Sequence, residues 1–185
     1  LDPQNKSWLE QSYVLHAILA ETQIAAGERA GARENARLAL AGSAGLLALD
    51  PKMANWQVNL RGLALAVAGQ VASDEELPGL IDDLKDYLEK VRPFTTADRV
   101  LNQPRAVIVA RAELLIGRLL ARDGRTGEAA GHWRAAAARV QVCAERGDLP
   151  ALTALATARF LLGAVAEART LAQRIESSTF RHPAY

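Results

Sequence analysis

Cysteine occurs once in this chain, at Cys143, so neither a disulfide framework nor a thiolate metal set is open to it. A lone cysteine suits a reducing cytosol and equally a periplasmic domain without disulfides, so the compartment stays open between cytoplasmic and periplasmic. Aromatic residues make up only 5% of the 185 positions. That is too few for the interleaved aromatic and basic platform on which nucleic-acid bases stack. The formal net charge is +1, which supplies no global attraction to nucleic acid or to an anionic membrane. No apolar run approaches the length of a membrane span, so no direct membrane insertion is expected. No secretory leader is visible. The chain opens on Leu1 rather than Met, inside what reads as a repeat boundary, and the expectation is a domain of a longer polypeptide.

The usual signatures of chemistry are also missing. His16, His132 and His182 lie far apart without Cys, His or Glu neighbours at metal-ligand spacing, and read as structural or surface residues. Cys143, beside Val140 and Val142 on a helical pattern, reads as a small buried hydrophobe rather than a nucleophile. Ser7, Ser12 and Ser43 sit in no nucleophile elbow, and no His-Glu-x-x-His occurs. The run Ala41-Gly42-Ser43-Ala44-Gly45 follows no strand and ends in no Lys-Ser/Thr, so its glycines read as helix packing and not as a phosphate loop. Asp82, Asp83 and Asp86 look like paired carboxylates but fit the solvated face of an amphipathic helix. No catalytic residue, metal or cofactor is expected.

What the chain has in abundance is alanine, at 37 positions. Alanine is the best helix former and lets helices approach closely. Leu1-Asp2-Pro3 with Trp8 returns forty-eight residues later as Leu49-Asp50-Pro51 with Trp56. A self-match at fixed spacing in such a chain predicts repeated helical hairpins. Gly27, Gly124 and Gly163 are natural stops after first helices, Pro78 and Pro104 suit helix starts, and Ser73 with Glu76 has capping-box spacing. The fold class expected is all-α, a right-handed α–α superhelix of about four hairpins. They span about 1–48, 49–98, 99–147 and 148–178, with an irregular tail at 179–185. The first helix of hairpin two is expected from about Met53 to Val71, and a short helical turn from Ala97 to Leu101. Gly42 and Gly45 are expected to admit the helix that follows. Trp8 and Trp56, at equivalent helix starts, are expected to pack at the hairpin mouths.

In hairpin three Ile116-Gly117, Gly124, Ala129, Trp133 and Ala136 stand at the spacing of the tetratricopeptide repeat, and this stretch of about thirty residues resembles that family. The resemblance implies that Gly117 and Ala129 let two antiparallel helices touch, that Trp133 fills the groove between them and that Gly124 turns the chain. The other hairpins keep fewer of these marks, and their period exceeds the family's thirty-four residues. The Leu-Asp-Pro…Trp phrase and the ending Arg181-His182-Pro183-Ala184-Tyr185 resemble helical-repeat regions of Gram-negative bacterial signalling proteins, where such arrays follow a Ser/Thr-kinase or winged-helix regulator domain. That likeness implies a sensory or partner-docking domain.

The near-zero net charge hides two opposed segments. Asp74 to Glu89 holds seven acidic residues, and Arg99 to Arg139 holds eight Arg against three acidic residues. Arg111, Arg118 and Arg122 fall on one stripe of the first helix of hairpin three. In the tetratricopeptide register that stripe faces the concave groove. Arg forks bind carboxylates in bidentate fashion, so the stripe reads as a clamp for an acidic peptide or a chain-terminal carboxylate. The bland alternative is that it pairs with the acidic helix of hairpin two or solvates the surface. An apolar groove floor is expected from Val14, Leu65 and Phe160. The function expected is a non-catalytic protein- or peptide-binding or sensory domain. Two further classes stay open: a small-molecule sensor with an apolar cavity in hairpins one and two, and a structural spacer or homodimerisation module.

Overall fold

The computed structural model describes residues 5–91, 99–100 and 103–179, so Leu1-Asp2-Pro3 and the tail beyond Thr179 lie outside the described residues. The chain forms two compact units, Leu1–Phe94 and Thr95–Tyr185. The described residues are helical apart from turns and one pair of two-residue strands.

The first unit holds α1 (Lys6–Ala26), α2 (Arg29–Leu49), α3 (Arg61–Val71, preceded by a π-helical turn Trp56–Leu60) and α4 (Leu77–Val91). Asn5 caps α1, its side chain accepting from the N–H groups of Ser7 and Trp8. Gly27, in the left-handed region at φ 79°, ends it, and the N–H of Glu28 reaches back to the carbonyl of Gln23 at 2.8 Å. The helix that returns meets α1 along alanine: Ala17, Ala20, Ala36 and Ala39 are all within 1% of full burial, with Ala64 and Val67 of α3 in the same cluster. Such small side chains allow close helix approach. A Cβ on Gly42 would collide with the ring of Tyr13, so this glycine admits α1; around Gly45 there is open space.

The helix expected from about Met53 to Val71 is present, unbroken from residue 54 to Val71, but it changes type along its length. Residues 56–60 make a π turn, which inserts one extra residue into the helical ladder and resets which side chains face inward. Trp56, Val58 and Leu60 are all buried as a result. The Tyr87 hydroxyl of α4 donates to the carbonyl of Val58 at 2.8 Å. It reaches this point over Gly62, where a Cβ would meet the Tyr87 oxygen. The two tryptophans of the sequence self-match part company here. Trp56 is 4% exposed and donates its indole N–H to Glu10 at 2.9 Å. Trp8 is 54% exposed, because it lies on the side of α1 opposite Ala17 and Ala20, so the expectation of core packing fails for it. A 3₁₀ turn, Asp74–Glu76, opens the way into α4, with the Glu76 carboxylate accepting from the N–H and hydroxyl of Ser73.

The second unit begins with β1 (Arg99–Val100) and β2 (Gln103–Pro104), paired antiparallel with Arg99 opposite Pro104. This replaces the helical turn expected from Ala97 to Leu101, as far as those residues are described. Pro104 disfavours a helical conformation at the residue before it. Four helices follow: α5 (Arg105–Arg122), α6 (Thr126–Glu145), α7 (Leu149–Leu161) and α8 (Val165–Thr179). Asp148 caps α7 through the N–H of Ala151 at 2.9 Å. The core joins Val107, Ala110 and Leu114 of α5 to Ala136, Ala137 and Val140 of α6 and to Ala151, Ala154, Leu155 and Ala158 of α7. A Cβ at Gly117 would strike the Trp133 indole and come within 3.0 Å of the Ala129 carbonyl, so α5 and α6 touch at this point.

Candidate functional site

Arg111, Arg118 and Arg122 all emerge on α5, within one strip, and all three are exposed. The strip exists because the rest of the helix is taken up by packing: residues 107, 109, 110, 112–114, 116, 117, 119 and 120 are buried. Arg111 and Arg122 are already engaged with other residues. Within the same unit, α7 packs beside α5 through the core described above and exposes Phe160, which is 62% accessible. Of the residues expected to floor a groove, Val14, Leu65 and Phe160, Leu65 is not available at the surface. Leu65 is wholly buried in the core of the first unit, Val14 is partly buried against Leu46, Trp56 and Leu60, and Phe160 is exposed.

The acidic residues of α4 have nearby partners of their own. Arg61 pairs with Asp83 at 3.0 Å and Lys90 with Asp86 at 2.6 Å. Asp82, Asp86 and Glu89 are exposed and Asp83 is partly so, which fits the solvated face that the sequence suggests.

Two polar arrangements escape a reading of motifs. Glu113 on α5 is 3% exposed, and its Oε2 lies 2.5 Å from Nδ1 of His132 on α6. In the first unit, Nδ1 of His16 on α1 lies 2.8 Å from Oδ1 of Asn35 on α2. Aligning the turn glycines Gly27 and Gly124 superposes these two pairs, His16 on Glu113 and Asn35 on His132. The same alignment carried to Gly163 places Leu152 and Leu171 there, both in the apolar cluster of the second unit. The repeat seen at the turns, and not the Leu-Asp-Pro phrase, is the signal that would have found them. The second arrangement surrounds the π turn: Glu10 accepts from Asn55 at 2.7 Å and from Trp56, while Asn59 donates to Asn55 at 2.6 Å. Every member is satisfied by a neighbour, which makes it a fastening between α1 and the π turn.

Cys143 is partly buried against the core of the second unit. An open groove of about 520 Å³ lies along α6 and the end of α7, lined by Arg134, Ala137, Gln141, Val142, Arg159 and Leu162 among others. Arg159 there pairs with Glu167 at 3.3 Å. Among the described residues no group of three or more His, Cys, Asp or Glu could hold a metal ion, and no helix is long and apolar enough to cross a membrane. No protein-family model, curated protein or solved structure matches the chain.

Proposed function

We propose that the chain is a non-catalytic scaffold of tetratricopeptide-like hairpins, stacked as a right-handed superhelix, that binds an acidic peptide segment or a chain-terminal carboxylate as the docking part of a signalling protein. The repeated turn supports the architecture. Three hairpins close with a glycine near φ 80° and the same long backbone bond, Glu28 to Gln23, Arg125 to Leu120 and Ala164 to Arg159, at 2.8–2.9 Å. In the second unit two such hairpins pack directly on one another, α7 against both α5 and α6.

The observation that carries the functional reading is the exposed strip of Arg111, Arg118 and Arg122 on α5, beside a helix that exposes Phe160. Guanidinium groups in a row, with an apolar contact nearby, match a carboxylate-rich chain carrying a hydrophobic anchor. The test is fluorescence polarisation with a labelled Asp/Glu-rich peptide that ends in a free carboxylate. Replacing all three arginines by alanine is expected to weaken binding at least about tenfold, since hydrogen bonds to charged groups contribute roughly 1.5–3 kcal/mol each. Undiminished binding by the triple variant would remove the basis for this function.

A further inference from the structure

Helix α1 is apolar on two opposite faces. One holds Ala17 and Ala20 and makes the core of the first unit. The other holds Trp8, Leu15, Ile18 and Leu19, which are 54%, 58%, 47% and 48% exposed. Reading outward from Trp8, the side turned to solvent carries Trp8, Gln11, Leu15, Ile18, Thr22 and Ala25, at spacings of three and four that form the a/d seam of a heptad, with Leu19 and Ala26 on its flank. No charged residue falls on this seam, over most of a helix of 21 residues. Absence of charge marks the centre of an interface and not an ordinary solvated face.

We infer that this seam pairs α1 with α1 of a second copy of the chain, in antiparallel orientation. In an antiparallel coil each a position faces a d position of the partner helix. Trp8 then meets Ala25, the largest side chain against one of the smallest. Gln11 meets Thr22, polar against polar, and Leu15 meets Ile18, apolar against apolar. The two-fold axis repeats all three layers, so one sequence complements itself along the whole seam. A parallel pair would instead set Trp8 on Trp8 and Gln11 on Gln11, with no small residue to receive the indole. The area is also adequate. The four large side chains expose about 400 Å² per copy, given roughly 150–250 Å² for a fully exposed large side chain. With the polar layers and flanks, two copies bury about 1,200 Å², the lower bound for a specific dimer.

The experiment is analytical ultracentrifugation of the 19.9-kDa chain across a concentration series from about 1 to about 200 µM. The expected result is a mass rising to that of a dimer. The double variant Leu15→Glu/Ile18→Glu, with substitutions at exposed positions and far-UV circular dichroism as the check on folding, is expected to associate at least about a hundredfold more weakly. Orientation is read in a Cys143→Ser background under mild oxidation. A mixture of Gln11→Cys and Thr22→Cys chains is expected to cross-link, and Gln11→Cys alone is not. A wild-type chain that remains monomeric throughout, a folded double variant that dimerises like wild type, or cross-linking between Gln11→Cys chains alone would each overturn the inference. A monomeric result would assign the face to a different protein.

Discussion

At the scale of single residues, the Glu113–His132 pair is the most exacting feature of the second unit. A buried carboxyl held by one imidazole is costly to leave alone and inexpensive to replace as a pair. His132→Leu is therefore expected to destabilise the protein by about 3 kcal/mol, because Glu113 loses its partner inside the core. The double change Glu113→Leu/His132→Leu is expected to recover most of that loss. It reproduces what the chain itself does one hairpin later, where Leu152 and Leu171 occupy the corresponding positions. Urea unfolding of the two variants against wild type measures both values, and a double variant less stable than His132→Leu would contradict the assignment. Gly117 poses the opposite problem, since a methyl group has no room there. Gly117→Ala gains about 1 kcal/mol in helix propensity but is expected to lose more by displacing Trp133, so a net loss in the same assay is anticipated.

Local signals made most elements legible at the scale of helices. The helix starts expected at Pro78 and Pro104 match the observed starts of α4 at Leu77 and α5 at Arg105, and the chain then keeps a clean helical period. The π turn was not legible. Trp56, Val58 and Leu60 are spaced as a strand would be, and only the Tyr87 hydroxyl and the missing side chain at Gly62, distant in sequence, show why the helix is offset there. Tyr87→Phe should cost about 1 kcal/mol through the lost bond to Val58. Its burial pushes the phenol well above its usual range, so the hydroxyl stays a donor at any working pH. The Arg strip could be placed on α5 from spacing, but the groove floor could not. Burial of Leu65 and Val14 depends on partners far along the chain. At the entrance to α4, the Glu76 carboxyl is held down at about 2, first by the Ser73 backbone N–H, then by Arg33, 2.8 Å away, and by the Ser73 hydroxyl. A carboxyl lowered in this way adds stability that is present above the ordinary value of about 4.3 and disappears as the pH falls toward 2. Half the side chain is solvent-exposed, so the effect is small. Thermal unfolding of Glu76→Gln should fall below wild type at neutral pH and converge with it near pH 2.

At the scale of the whole chain, charge is partitioned by unit. Residues 1–94 carry nine Lys or Arg against thirteen Asp or Glu, while residues 95–185 carry thirteen Arg, no Lys and eight acidic residues. The net charges are −4 and +5, and near-neutrality of the chain conceals both. An acidic ligand is thus attracted by the second unit and repelled by the first. Its affinity should fall as salt shortens the screening length from about 30 Å at 0.01 M to about 8 Å at 0.15 M. Salt alone does not separate a diffuse positive field from a clamp. Replacing Arg111, Arg118 and Arg122 together by lysine does, because it preserves the charge and removes the planar fork. A clamp predicts that the lysine variant binds the acidic peptide nearly as weakly as the alanine variant at 0.15 M salt while keeping a salt slope like that of wild type. A diffuse field predicts that the lysine variant matches wild type in both affinity and slope, and polarisation titrations at three salt concentrations distinguish the two.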